Sequence, residues 1–212
     1  MLERKVDGVA VMTSETDPGL IDLLNNRGVP SVFLDHGRVG PLSSKLEIGF
    51  ADATDLAIQH LSSLGHTRIA FISGPLELKS AQLRHDAFRN GMRRRKLPYV
   101  STLVRPGDHR TEGGRAAMAQ LLALESPPTA VITSNDLTAI GAISSIYQAG
   151  LRVPDDISVI GCDDIDLSTF TNPPLTTIHI SRNDLSACAF RALFAVSQHG
   201  EAGRAYKFDA TL

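Results

Sequence analysis

Polar side chains that could bind a small molecule follow several apolar segments of this sequence. Asp35 follows the segment SVFL, Asn135 comes just after AVIT, and Asp163 follows SVIGC. Arg84 lies early in the helical segment after RIAFIS and its Gly74-Pro75 turn. Carboxylates accept hydrogen bonds from adjacent hydroxyls, whereas a guanidinium fork and an amide donate them. Together these residue types suit a small polyhydroxylated ligand.

Each of these residues also has an ordinary structural alternative. Asn135 or Asp136 could cap a helix, and Asp35 and Asp163 could form turns at strand ends. Their shared position favours binding, because open α/β sheets bind ligands at the carboxyl ends of their strands. Arg84 is the strongest candidate, since a buried guanidinium needs either a partner such as Asp163 or a ligand.

The elements that must position these residues alternate between two kinds of segment. Apolar runs rich in β-branched residues predict strands, and longer segments of helical period lie between them. The predicted strands span 6–12, 30–34, 68–73, 102–105, 130–134, 157–162 and 176–180. The predicted helices span 17–27, 51–64, 79–96, 112–124, 136–149 and 182–198. This alternation predicts an α/β fold with a doubly wound parallel sheet, followed by a polar, exposed tail over 201–207.

Composition excludes several classes of protein. The 212 residues carry 21 Lys and Arg against 23 Asp and Glu, a formal net charge of −2, so no global basic excess supports nucleic-acid binding. Cys162 and Cys188 have apolar neighbours and are expected to be buried free thiols rather than a disulfide. No apolar run is long enough for a membrane span, and the first residues lack a signal-peptide core. We therefore predict a soluble, cytoplasmic protein with no membrane partner.

Motifs for catalysis and metal binding are absent from the sequence. It has no GxxxxGK[ST] loop, no GxGxxG after a strand, no HExxH, no CxxC and no GxSxG. The acidic run 163–166 lacks the glycine and distal glutamate of a calcium loop, so no metal site is predicted. The basic run 93–96 ends a predicted helix, where cations complement the helix dipole. The sequence predicts neither an enzyme nor a cofactor; the enzymatic alternative is a nucleotide hydrolase that uses Asp163 or Asp164.

Three longer stretches resemble the sensor core of LacI/GalR-type transcriptional regulators. They are LSSLGHTRIAFISGP, SAQLRHDAFRNGM and PTAVITSNDLTAIGAISSIYQAGLRVPDDISVIGCDDIDLSTFTNPPLTTIHI. Within the last stretch, GLRVPDDISVIGCDDI followed by NPPLTTI is highly specific to that family. The likeness covers about residues 6–195. It implies a periplasmic-binding-protein-like type I fold, with two Rossmann-like lobes, parallel sheets and an effector between the lobes.

The resemblance also implies which positions contact the effector. They are Asp35, Ser80, Arg84, His109, Asn135, Asp163 and Arg182. His109 stands where the family often has an aromatic ring that stacks on the ligand, and this departure suggests a more polar effector. The implied effector is a sugar or a sugar phosphate, and a nucleobase is the weaker expectation.

The resemblance further implies a domain organisation. Residues 1–48 would belong to an incomplete N-terminal lobe, 49–179 to the C-terminal lobe, and 180–212 to a return into the first lobe and a tail. The family's first strands and its helix-turn-helix head would precede VDGVAV, so operator DNA would be contacted only by that missing head. Segments 137–149 and 167–172 match surfaces through which the family forms homodimers, although the apolar face of the helix could equally pack in the core.

The sequence therefore predicts the ligand-sensing and dimerisation core of a bacterial LacI-type transcriptional regulator. The alternative is a periplasmic-type solute-binding protein of a transport system, which the VPDDISVIGCDDI run disfavours.

Overall fold

The computed structural model describes residues 6–13, 18–35 and 37–212. Its strands are β1 (Val9–Val11), β2 (Ser31–Leu34), β3 (Ser43–Ile48), β4 (Ile69–Ser73), β5 (Val104–Pro106), β6 (Ala130–Thr133), β7 (Ser158–Cys162), β8 (Thr176–Ile178) and β9 (Ala205–Phe208). Its α-helices are α1 (Pro18–Asn26), α2 (Phe50–Ser63), α3 (Lys79–Arg94), α4 (Thr111–Leu122), α5 (Asp136–Gln148) and α6 (Arg182–His199). Two compact units result, Met1–Gly49 with Ser181–Asp209 and Phe50–Ile180 with Ala210–Leu212.

The second unit is built on a parallel sheet of order β5-β4-β6-β7-β8. Its central strands β4 and β6 are buried at every residue, as expected for strands covered by helices on both faces. On one face, Ile72 and Val131 belong to a core cluster with Met118 of α4 and Ile146 of α5. On the other face, Phe71 stacks on Phe88 of α3 with ring centroids 4.9 Å apart. The sheet therefore lies between two helical layers.

The first unit contains a parallel sheet of order β1-β2-β3-β9. Val32 and Leu46 pack against Cys188 and Ala192 of α6, so this helix covers one face of the sheet. The tail predicted to be polar and exposed over 201–207 is exposed at five of its seven residues, and its last part belongs to β9, which pairs with β3. Alternate residues of β9 are exposed, which gives the segment its polar appearance in the sequence.

These two parallel sheets with their helices confirm the predicted α/β fold of two Rossmann-like lobes. The alternation of segments alone predicted one sheet, and the chain forms two. The predicted helix 17–27 begins at Asp17, which lies outside the described residues. Both cysteines are buried free thiols, as predicted. Among the described helices, none is long and apolar enough to cross a membrane.

Candidate functional site

The carboxyl ends of β4, β6 and β7 bring several predicted site residues to one edge of the second unit. Ile72 pairs with Thr133, and Ile132 pairs with Ile160. Continuing this register places the last side chains of the three strands next to one another. These side chains are Ser73, Ser134 and Cys162, and they lie beside the loops and helix starts that carry Ser80, Arg84, His109, Asn135 and Asp163.

Arg84 and Asp163 form an ion pair at this edge. Arg84 Nη2 lies 3.0 Å from Asp163 Oδ1, and the two side chains are 13% and 34% exposed. The guanidinium carbon also lies 4.3 Å from the centroid of the Phe50 ring, within the range of a cation–π contact. These two contacts hold the guanidinium in place. Asp163 is the partner that the sequence analysis suggested for Arg84.

Cys162 contacts the Asp163 carboxylate of this pair. Its Sγ is 3.6 Å from Asp163 Oδ1, and complete burial raises the pKa of the thiol to about 12. A thiol with such a pKa stays protonated at neutral pH, so it acts as a weak hydrogen-bond donor toward the carboxylate.

Backbone strain is concentrated at the same edge. Asp163 has φ = +107°, Asp164 has φ = +48° and His109 has φ = +62°, values that residues with a Cβ seldom adopt. Asp136, fully buried at the start of α5, accepts from the backbone N–H of Ile165 at 2.9 Å and from the Thr177 hydroxyl at 2.5 Å. These two hydrogen bonds fix the loop that carries Asp163. Strained residues held by such contacts are typical of binding sites.

His109 packs directly on the backbone of Gly74. A methyl group at position 74 would lie only 1.8 Å from His109 Nε2, so glycine is what allows the ring to approach. Burial, and then the charge of Arg84, lower the pKa of His109. The ring is therefore neutral at physiological pH, and its Nε2 is buried with no hydrogen-bond partner among the described residues.

Asn135 is the N-cap of α5, one of the two caps that the sequence allowed. Its Oδ1 accepts from the Thr138 backbone N–H at 3.0 Å and from the Thr138 hydroxyl at 2.6 Å. Its Nδ2 donates to the carbonyl oxygen of His109 at 3.0 Å. Asn135 thus ties the helix start to the His109 loop, and its predicted contact with an effector stays a prediction.

Three hydroxyls at this edge are buried without a hydrogen-bond partner in the described part of the chain. They belong to Ser73, Ser80 and Ser134, which are 1%, 2% and 1% exposed. Ser80 was a predicted site residue, whereas Ser73 and Ser134 were not. The sequence signal for both is a serine that closes an otherwise apolar strand, in RIAFIS and AVITS.

The remaining predicted site residues, Asp35 and Arg182, belong to the first unit. Asp35 is buried at the end of β2 with φ = +56°, and its Oδ1 accepts from the backbone N–H of Ile48 at 2.9 Å. Arg182 is exposed at the start of α6, just after the N-cap Ser181. Across residues 6–13, 18–35 and 37–212, no group of three or more His, Cys, Asp or Glu side chains could hold a metal ion.

Comparison with known proteins identifies similar chains. Residues 58–208 match the family of the periplasmic binding protein-like domain. The chain is 39% identical over 194 residues to the ribose operon repressor of Escherichia coli (strain K12), covering 91% of this chain and 59% of that protein. It is also 39% identical over 205 residues to the HTH-type transcriptional repressor PurR of Mannheimia succiniciproducens, covering 96% of this chain and 61% of that repressor. The chain thus spans about three fifths of the length of these curated relatives.

Two solved structures show the same similarity in three dimensions. The lac repressor dimer bound to operator and the anti-inducer ONPF superimposes with a TM-score of 0.86 at 30% identity, over 100% of this chain and 74% of that one. The complex of the transcriptional regulator CelR with cellobiose superimposes with a TM-score of 0.89 at 28% identity, over 97% of this chain and 64% of that one.

Proposed function

Because this chain belongs to the periplasmic binding protein-like family, among its LacI-type regulators, we propose that it is the ligand-sensing and dimerisation core of a bacterial transcriptional regulator. The observation that carries the proposal is the Arg84–Asp163 pair at the same edge as three buried serine hydroxyls and His109 Nε2, none of which has a hydrogen-bond partner among the described residues. Buried polar groups in folded proteins nearly always have partners, so a cluster of exceptions needs an explanation. A bound small molecule supplies one.

Each unit by itself carries proposed effector contacts. In the second unit, Ser80, Arg84, His109, Asn135 and Asp163 would contact the effector. The family resemblance adds Asp35 and Arg182 of the first unit, and this part stays a prediction. We assign the first unit to the family's N-terminal lobe and the second to its C-terminal lobe.

We further propose that effector binding controls contact with operator DNA in the whole regulator, through a DNA-binding head outside this sequence, and that the protein acts in the cytoplasm without catalysing a reaction. A ligand controls such an equilibrium only through its different affinities for two conformations. The curated relatives are repressors, which supports this proposal over transport.

A thermal-shift panel tests ligand binding. The probes are common pentoses and hexoses, their phosphates, and hypoxanthine, each at increasing concentration. A probe present at a hundred times its Kd stabilises the fold by about 2.7 kcal/mol, which raises Tm by about 5–10 °C for a chain of this length. We expect a sugar to raise Tm in the wild type and to have no effect on Arg84→Ala.

Arg89→Ala is the matched control for this panel. Arg89 lies on the same helix, is exposed, and pairs only locally with Asp86 at 2.9 Å. The control should keep the full ligand-induced shift. An equal shift in wild type and Arg84→Ala would remove Arg84 from the site, and a panel without any shift would overturn the proposed function.

Homodimer formation rests on a separate surface. Tyr147, Leu167 and Phe170 are large apolar side chains with 43%, 55% and 82% exposure, in or next to the two segments that match the family's dimer surface. We expect the wild type to be a dimer in light scattering after size exclusion and Phe170→Asp to be a monomer. Leu64→Asp, at a 61% exposed position outside these segments, should remain dimeric. A monomeric wild type would overturn this part of the proposal.

A further inference from the structure

Ser73 ends β4, and Ser134 directly follows β6 with its backbone N–H bonded to the carbonyl oxygen of Ile72 at 2.9 Å. Their preceding residues, Ile72 and Thr133, are paired in the sheet, so the two serines continue the same register. Side chains alternate along a strand, which places Ser73 on the face of Phe71, the face that packs on α3. Neither hydroxyl has a hydrogen-bond partner within the described residues, and each residue is 1% exposed.

Several other buried hydroxyls of the chain do have hydrogen-bond partners. Ser31 Oγ lies 3.1 Å from Ser43 Oγ, and the Thr133 hydroxyl donates to the carbonyl oxygen of Asn135 at 2.9 Å. The Ser168 hydroxyl donates to Asp164 Oδ1 at 3.4 Å. Since the fold pairs its hydroxyls elsewhere, the unpaired ones at this edge indicate groups that a bound molecule completes.

The charged groups of the second unit at this edge compensate one another. The Arg84 guanidinium is paired with the Asp163 carboxylate. The low pKa of His109 keeps the ring neutral, and the high pKa of Cys162 keeps the thiol protonated. A phosphate group would need a cation in excess, which this set does not supply, whereas hydroxyl groups need only donors and acceptors.

The partly exposed residues around the two serines give access to them. His109 lies against Gly74, the neighbour of Ser73, while Asn135 follows Ser134 in the chain. Both residues are intermediate in burial, so the two buried serines border residues that are partly open to solvent. A hydroxyl of the ligand could then bond to a serine hydroxyl directly or through one ordered water.

We propose that Ser73 and Ser134 are specificity-determining residues that recognise hydroxyl groups of an uncharged, non-phosphorylated sugar. This inference rests on the proposed effector-binding function and names the ligand class of that site.

Alanine variants test the proposal, because an unpaired hydroxyl and a structural one respond in opposite ways. Removing a buried hydroxyl without a partner leaves the ligand-free protein equally stable or more stable. We therefore expect Ser73→Ala and Ser134→Ala to keep or raise the Tm of the ligand-free chain. In each, the Kd of the sugar that binds best in the panel should rise about three- to tenfold, the effect of one lost hydrogen bond.

Ser31→Ala is the matched control. Its hydroxyl is equally buried but bonded to Ser43, and Ser31 lies at the start of β2, at the opposite end of that strand from Asp35. This variant should lower the Tm of the ligand-free chain and leave the Kd of the sugar unchanged. If Ser73→Ala and Ser134→Ala behave as Ser31→Ala does, the two hydroxyls serve the fold and the proposal is overturned.

Monodeoxy forms of the same sugar identify the contact directly. In the wild type, removal of the recognised hydroxyl should weaken binding about threefold or more, and in Ser73→Ala or Ser134→Ala the same removal should have no further effect. The proposal is overturned if every monodeoxy sugar loses as much affinity in both serine variants as it does in the wild type. It is also overturned if the phosphorylated sugar binds more tightly than the free sugar. In either case the effector-binding function still stands. A panel in which no probe binds would overturn both.

Discussion

Asp136 connects three segments of the second unit, and its replacement separates the effect of geometry from that of charge. The carboxylate begins α5 and accepts from Ile165 at 2.9 Å and from Thr177 at 2.5 Å. Burial is the main influence on its pKa and raises it above the ordinary aspartate value, although the two hydrogen bonds act in the other direction. Because Ile165 comes two residues after Asp163, the same carboxylate positions the candidate ligand-binding loop.

We expect Asp136→Asn to be mild and Asp136→Ala to be severe. In the asparagine variant, the amide oxygen can accept from Ile165, and the amide nitrogen can donate to Thr177, whose hydroxyl is free to rotate. The alanine variant leaves two buried donors unpaired, at about 1–3 kcal/mol each, partly offset by relief of the buried charge. A net loss of about 3 kcal/mol lowers Tm by about 6–12 °C in a chain of this size, whereas the asparagine variant should change Tm by less than about 4 °C.

Thermal unfolding followed by circular dichroism measures both effects, and a pH series separates them. A raised pKa in the folded state means that protonated Asp136 stabilises the fold at acid pH, and that this stabilisation is lost as pH rises through the folded pKa. The Tm of the wild type relative to Asp136→Asn should therefore fall on going from acid to neutral pH.

Thr177→Val tests the role of the Thr177 hydroxyl. In the Asp136→Asn background it removes the group that accepts from the amide nitrogen of the asparagine. The Tm of the asparagine variant should then be no higher than that of Asp136→Ala. An asparagine variant as unstable as the alanine variant at pH 7, with Thr177 intact, would refute the geometric argument and leave charge as the role of Asp136.

Three further outcomes can be checked by the same unfolding assay or by thiol labelling. Gly74→Ala should displace His109 and lower Tm by about 3–9 °C. Adding His109→Ala to this variant should restore most of the lost Tm. An unchanged Tm in Gly74→Ala alone would contradict the close packing of His109 on Gly74. Asn135→Ala should lower Tm by about 2–4 °C through loss of the helix cap, whereas Asn135→Asp should keep the Thr138 contact, and equal losses would contradict a capping role. Cys162 should label with a thiol reagent at pH 8 only as fast as the chain unfolds, because burial holds its pKa at about 12; rapid labelling in the native state would contradict this.

The strands of the second unit could be predicted closely from the sequence. The predicted segments 68–73, 130–134 and 157–162 correspond to Ile69–Ser73, Ala130–Thr133 and Ser158–Cys162. These strands are covered on both faces, so their consecutive apolar residues are a strong local signal. The carboxyl ends of these strands could also be predicted, because turn-forming or charged residues come directly after each strand.

Strands β3 and β9 could not be predicted, and the reason is physical. Both are short and carry charged residues: Lys45 and Glu47 of β3 are half-buried, and Lys207 of β9 is exposed. Their pairing joins Lys45 to Ala205 across most of the chain, so the contacts that form these strands are not local. Because these pairings between distant residues cannot be read from the sequence, both segments resemble polar loops there.

The candidate site divides in a similar way. Arg84 and Asp163 could be inferred, because a buried guanidinium requires a carboxylate or a ligand, and the structure pairs them at 3.0 Å. The contribution of Ser73 and Ser134 could not, because a serine that closes an apolar strand does not reveal whether its hydroxyl has a partner in the fold. Their lack of partners depends on the register between β4 and β6 and on the packing above it, which only the folded chain fixes.

The two ends of the same sheet differ in how completely their buried polar side chains are paired. At the amino ends of the strands, both ring nitrogens of His66 have partners, Thr129 Oγ1 at 2.9 Å and Ser158 Oγ at 3.0 Å. At the carboxyl ends, the hydroxyls of Ser73 and Ser134 have no partner in the part of the chain that the structure describes, and the backbone of neighbouring loops is strained. Unpaired buried groups and positive φ angles both reduce stability, so their accumulation at one edge has no structural benefit. This accumulation supports the proposal that the carboxyl edge of the sheet binds a ligand.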